Sequence, residues 1–182
     1  MMLLSAKDSL LLIVDAQERL LPAIYQRDVV TSRMRWLGEI AVQLDVPILI
    51  TEQYPKGLGY TVDSLQEIIE AARVVEKTHF SALRDDTFRD VLSEYNKKHI
   101  VVMGMETHVC VLQTAIELQE SGYQVFLPAD TVGSRRSTDK SGAIERMRSA
   151  GVEIVTSEMA AFEWLEKAGT DTFRHISRNW LK

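Results

Sequence analysis

A chain of 182 residues with 46% hydrophobic and 26% charged residues has the composition of an ordinary globular protein and the length of one domain with a real core, spanning residues 1–182. A formal charge of −5 argues against a nucleic-acid partner, and apolar runs such as Leu10–Val14 fall far short of the roughly 20 residues that span a bilayer. One cysteine excludes an intrachain disulfide and a thiolate metal cluster; with no secretory pattern in MMLLSAKDS, the expected setting is the reducing cytoplasm.

Leu10–Val14 is a flat apolar run ending at Asp15, which predicts a strand buried on both faces of a parallel sheet. Val30, Met34, Leu37, Ile40, Ala41 and Leu44 give Val29–Leu44 helical spacing, and Ile48–Ile50 follows as a second strand. Thr51–Tyr60 (TEQYPKGLGY) reads as an irregular loop, Val62–Ala72 as a short helix, Val74–Glu76 as a third strand and Lys77–Arg84 as a loop. Asp85–Lys97 is a helix that Asp85 or Asp86 can cap, and His99–Met103 is strand four. After a turn at Gly104, Val109–Ser121 is helical and Gly122 closes it. Val125–Leu127 is strand five, Ala129–Arg136 a loop, Ser137–Ala150 a helix, Val152–Val155 strand six and Ser157–Lys167 a helix. The tail, about residues 170–182, reads as a last helix with Phe173, Ile176 and Trp180 on one face, which can dock on its own core or on a second subunit.

Strands alternating with helices at short connections predict an α/β fold, a parallel sheet between helix layers. Ligands in such sheets bind beyond the carboxyl ends of the strands. The residues to weigh are therefore Asp15, the Thr51–Tyr60 loop, Lys77–Phe80, Met105–Cys110 and Ala129–Arg136. Taken singly each has an ordinary structural reading. Asp15 can cap a turn, and Lys77 can be a solvated strand end. Cys110 can be a buried core thiol, since free cysteine is among the most buried residue types. At the first turn of a helix, however, the macrodipole and unpaired N–H groups are expected to favour a thiolate at Cys110. His108 stands too close along the chain to face Cys110, so a local hydrogen bond is expected for it. His79 lacks a partner at metal-ligand spacing. Arg135–Arg136 reads as an exposed basic pair. Gly57–Val62 lacks the third glycine of a dinucleotide fingerprint, and neither a P-loop nor GxSxG occurs.

As a set, Asp15 in LLIVDAQ, Lys77 in VEKTHFSA and Cys110 in GMETHVCVLQTA resemble the isochorismatase-like cysteine hydrolases, over nearly the whole chain. TEQYPKGLG and EKTHFSA are similar to the subgroup of isochorismatase-domain-containing proteins of unassigned substrate. The resemblance implies a three-layer α/β/α fold with a six-stranded parallel sheet in the order 3-2-1-4-5-6, which makes strands one and four neighbours at the switch point. It implies an Asp15–Lys77–Cys110 triad, an oxyanion hole from the Glu106 and Cys110 N–H groups, and a cis peptide expected at Met105–Glu106. Metal-dependent nicotinamidases of the superfamily carry an Asp–His–His set after strand two. The corresponding TEQYPKGLG has only Glu52, so no metal and no cofactor are expected. Gln17, Gln53, Tyr54, His79 and Phe80 are expected to line the substrate pocket.

The function expected is hydrolysis of a non-peptide C–N bond in a small molecule by a homo-oligomer, with no nucleic-acid or membrane partner. An intact Cys110 argues against the vinyl-ether chemistry of true isochorismatases. The rivals are an oligomeric interaction protein of the same fold and a thiol-redox protein; the absence of a resolving cysteine disfavours the latter.

Overall fold

Every residue of β1 (Ser9–Val14) is buried, because the strand lies between two cores. Leu11 and Ile13 join the core under α1 (Arg27–Gln43), α3 (Gln66–Ala71), α7 (Ser157–Leu165) and α8 (Asp171–Asn179). Leu10, Leu12 and Val14 join the core under α4 (Asp86–Glu94), α5 (Leu112–Glu120) and α6 (Ser137–Ser149). The flat apolar pattern of LLLIV is thus the alternation of a strand whose two faces are both covered. The structure is a computed structural model and describes residues 3–181. Among the described residues no helix is long and apolar enough to cross a membrane.

The sheet is parallel throughout. It comprises β1, β2 (Ile48–Gln53), β3 (Ala72–Lys77), β4 (His99–Met105), β5 (Gln124–Pro128), β6 (Val132–Gly133) and β7 (Glu153–Val155). Its order is β3-β2-β1-β4-β5-β7, the order expected, with β7 in the place of the sixth strand. The additional two-residue β6 forms inside the stretch read as a loop. β5 pairs with β4 only at His99–Val101, so the farther end of β4 has a free edge, and Val132–Gly133 takes it opposite Gly104–Met105.

Three element boundaries differ from expectation near the site. The helix expected over Val62–Ala72 is a 3-10 turn, Asp63–Leu65, leading into α3, and Ala72 already belongs to β3. β2 continues through Gln53, and Pro55–Leu58 is a single helical turn, α2. Val109 does not start a regular helix: Thr107–Val111 forms a π-helical turn and α5 begins at Leu112.

The C-terminal helix docks on its own chain. Ile176 is fully buried, and Phe173 and Trp180 pack on the same core. Trp36 Nε1 donates to the Trp180 carbonyl at 2.7 Å, and Trp180 Nε1 donates to Glu39 Oε2 at 2.7 Å. The Thr170 hydroxyl caps α8 by accepting from the Phe173 N–H at 3.0 Å.

Candidate active site

Strand stagger explains how a lysine on the outermost strand reaches the sheet centre. Val14 pairs with Thr51, and Thr51 with Val75, so Lys77 stands two residues beyond the level at which β1 ends. Asp15 is the next residue after β1. Two strand spacings separate β1 from β3, about 10 Å. The Lys77 stem spans them over the end of β2, placing Nζ 2.7 Å from Asp15 Oδ2. Neither side chain has any solvent exposure. The ammonium also donates to Gln53 Oε1 at 2.6 Å and to the carbonyls of His79 and Phe80 at 3.1 and 3.2 Å.

Asp15 adopts φ 52°, in the left-handed region where a short polar side chain is tolerated. Its N–H donates to the Thr51 carbonyl at 3.0 Å, while the Thr51 hydroxyl donates to its Oδ1 at 2.7 Å. Burial pushes the Asp15 carboxyl up from 3.8, against the Lys77 cation and the hydrogen bond from Thr51, with the nearby Cys110 thiol adding a smaller opposing effect.

Cys110 sits in the π-helical turn, 6% exposed. The surroundings of Cys110 oppose the thiolate expected from the helix start. Burial first, and then the Asp15 carboxylate, push the thiol up to about 12, and Lys77 opposes them only in part. Desolvation and a like charge outweigh the helix start and favour the thiol form beside the Asp15 carboxylate.

The segment before Cys110 is shaped by close approach of β1 and β4. Gly104 has φ +130°, and a Cβ there would lie 2.0 Å from the Val14 carbonyl oxygen, so no larger residue fits. The Met105–Glu106 peptide bond is cis. The Glu106 carbonyl accepts from the N–H groups of Val109 and Val111. Its carboxylate receives a two-point contact from Arg135, Nε to Oε1 at 2.8 Å and Nη2 to Oε2 at 3.2 Å. His108 Nδ1 lies 3.0 Å from Ser134 Oγ, the local bond expected of it. Arg135, read from the sequence as an ordinary basic residue, therefore helps β6 and the residues after it brace this turn. The buried Thr107 hydroxyl has no hydrogen-bond partner among the described residues.

The expected pocket residues divide. Gln17 is fully buried; its Nε2 donates to the Gln53 and Gly59 carbonyls at 3.0 and 2.7 Å, and its Oε1 accepts from the Gln53 N–H at 2.7 Å. Its amide is committed to backbone and holds the loop, in place of the ligand contact expected. Gln53 likewise faces Lys77 and Thr78. Tyr54 is exposed and borders a cleft of about 330 Å³ with Pro55, Thr78 and Asp85. Phe80 is exposed, and the His79 ring reaches Asp85 at 3.2 Å. Glu52 accepts from both the N–H and the hydroxyl of Thr61, at 2.7 and 2.8 Å, which accounts for a buried carboxylate in that stretch. Among the described residues no group of three or more His, Cys, Asp or Glu side chains is placed to hold a metal ion.

Residues 9–159 match the family model described as the isochorismatase domain. Isochorismatase family protein 1A of Dictyostelium discoideum is 37% identical over 177 residues, covering 95% of this chain and 86% of that protein. A solved structure described as MAR1 ribonuclease from Caenorhabditis elegans superposes with a TM-score of 0.92 at 32% identity, covering 100% of this chain and 93% of that one. The YcaC product of Escherichia coli, described as an octameric hydrolase of unknown specificity, has a TM-score of 0.92 at 24% identity, covering 100% of this chain and 92% of that one.

Proposed function

The chain belongs to the isochorismatase family of hydrolases, and from that premise we propose that it hydrolyses a non-peptide C–N bond, an amide, of a small molecule through a Cys110 thioester. The observation that carries this reading is the buried contact of Lys77 with Asp15 at 2.7 Å, beside the buried Cys110 thiol. A thiol held protonated needs a base at the moment of attack, and Asp15 is in place to be one.

As Sγ of Cys110 bonds to the amide carbon, the thiol proton passes to Asp15. The carbonyl electron pair moves onto oxygen, where the N–H groups of Glu106 and Cys110 receive it; such donors contribute about 3–4 kcal/mol each. Collapse breaks the C–N bond, and the amine leaves with the proton from Asp15. Water then gives a proton to Asp15 and attacks the thioester. The carboxylic acid departs, and the Asp15 proton returns to Cys110. Lys77 transfers no proton in this scheme. It offsets the negative charge that passes between Asp15 and Cys110.

No step is assigned to a metal: the one carboxylate of TEQYPKGLG, Glu52 in β2, is already taken up by the N–H and hydroxyl of Thr61. The same reading includes a cytoplasmic setting and a homo-oligomer. The octameric description of the E. coli relative suggests the latter, and sedimentation velocity tests it.

A panel of small amides, assayed with wild type and Cys110→Ala, tests the proposal. At least one amide should be turned over, and the variant should lose about 10³-fold or more of that activity. An oligoribonucleotide belongs in the panel because of the name of the C. elegans relative. RNA cleavage that depends on Cys110, with no amide turned over, would overturn the small-molecule reading.

A further inference from the structure

Lys77 meets its two shortest acceptors in Asp15 Oδ2, at 2.7 Å, and Gln53 Oε1, at 2.6 Å. The other two acceptors, the His79 and Phe80 carbonyls, belong to the segment that follows Lys77 itself. Gln53 comes instead from β2, the strand that Lys77 must cross. Its orientation is fixed at every polar group. Nε2 donates to the Thr78 carbonyl at 2.7 Å, which turns Oε1 toward the ammonium. The backbone N–H donates to Gln17 Oε1 at 2.7 Å, and the backbone carbonyl accepts from Gln17 Nε2 at 3.0 Å. Gln17 in turn holds the Gly59 carbonyl at 2.7 Å.

We propose that Gln53 is a positioning residue: its amide oxygen seats the Lys77 ammonium against Asp15, and Gln17 locks Gln53 in the register that this requires. The choice of an amide has a physical reason. A neutral oxygen satisfies one ammonium hydrogen without dividing the cation between two anions. An apolar side chain would remove the shortest acceptor and leave the ammonium to Asp15 and the longer His79 and Phe80 contacts, which pull it toward its own loop, and a carboxylate would draw the cation off Asp15. The groups that face the Asp15 carboxylate are the Lys77 ammonium from β3, the Thr51 hydroxyl from β2 and the Cys110 thiol from the π-helical turn. Lys77 is the one cation among them, so its seating controls where Asp15 titrates.

The functional importance of this device rests on Asp15 being the base proposed above, but its test reads Asp15 directly and needs no substrate. The Asp15 side-chain carboxyl is titrated by ¹³C NMR in the full chain, as wild type, Gln53→Met and Lys77→Met. Gln53→Met should move the midpoint upward by about one pH unit, in the same direction as Lys77→Met and by less. An unchanged midpoint in a folded Gln53→Met protein overturns the proposal. If Gln53→Met does not fold, the near-isosteric Gln53→Glu replaces it. Its second carboxylate should likewise raise the Asp15 midpoint, and no change there is again contradictory.

With an amide that the enzyme turns over, the acid limb of the Gln53→Met pH–rate profile should move with the carboxyl midpoint, while KM changes by less than about twofold. A KM raised severalfold with the midpoint unmoved would make Gln53 a substrate contact and overturn the positioning role. A shifted midpoint in a protein that hydrolyses no amide would sustain the positioning role and defeat the hydrolase reading.

Discussion

Lys77 Nζ stands 2.7 Å from Asp15 Oδ2, with both side chains closed to solvent. Removing the cation leaves a buried anion uncompensated, which costs about 3–5 kcal/mol in comparable cases. The loss should depend on pH. Burial raises the folded-state pKa of Asp15, so its contribution to stability is greatest below the unfolded value of 3.8 and is lost as pH rises through the folded pKa. Lys77→Met raises that folded pKa further. Urea unfolding should therefore show a larger loss at pH 8 than at pH 5, and equal losses would contradict the assignment.

Asp15 and Lys77 act on Cys110 with opposite signs. Asp15→Asn removes the anion that holds the thiol up. Its alkylation by iodoacetamide at pH 8 should be about tenfold faster than wild type, while amide turnover falls about 10²–10⁴-fold for want of a base. Lys77→Met should slow alkylation. Slower alkylation in Asp15→Asn would mean that the carboxylate does not oppose thiolate formation.

In the sequence, strand ends and a helix start mark Asp15, Lys77 and Cys110 as residues to weigh, because a parallel sheet gathers its site there. Singly each has an ordinary structural reading; it is the family resemblance that joins them into a proposed triad, and the structure places Lys77 against Asp15. The upward push on the Cys110 thiol was not legible. Helix-start reasoning counts the dipole but cannot count the burial of Cys110 or the nearness of the Asp15 carboxylate. The roles of Gln53 and Arg135 were equally hidden. Gln53 looks like loop chemistry until β2 is seen to run through it, and Arg135 finds Glu106 only because β6 forms on a free edge left by β5.

Gly104 permits the close approach of β4 to β1 immediately before Asp15. Gly104→Ala combines a disfavoured φ of +130° with a Cβ 2.0 Å from the Val14 carbonyl oxygen. It should cost about 3 kcal/mol or more and lower the thermal midpoint accordingly. A variant that melts like wild type would show that the two strands part easily at this point.

The C-terminal helix is held by its own chain. Truncation at the fully buried Ile176, as Ile176→Ala, should cost about 2–5 kcal/mol in urea unfolding and leave the sedimentation coefficient of the folded species unchanged. Loss of assembly with unchanged stability would place this face at a subunit contact instead.

The covalent intermediate is the most direct test of Cys110 chemistry. Wild type mixed with an amide that it hydrolyses, and quenched in acid during turnover, should gain the mass of the acyl group on the peptide bearing Cys110. The adduct should be labile to hydroxylamine, as a thioester is, and absent from Cys110→Ala. Undiminished turnover by Cys110→Ala, or an acyl group trapped on any other residue, would contradict nucleophilic catalysis by Cys110.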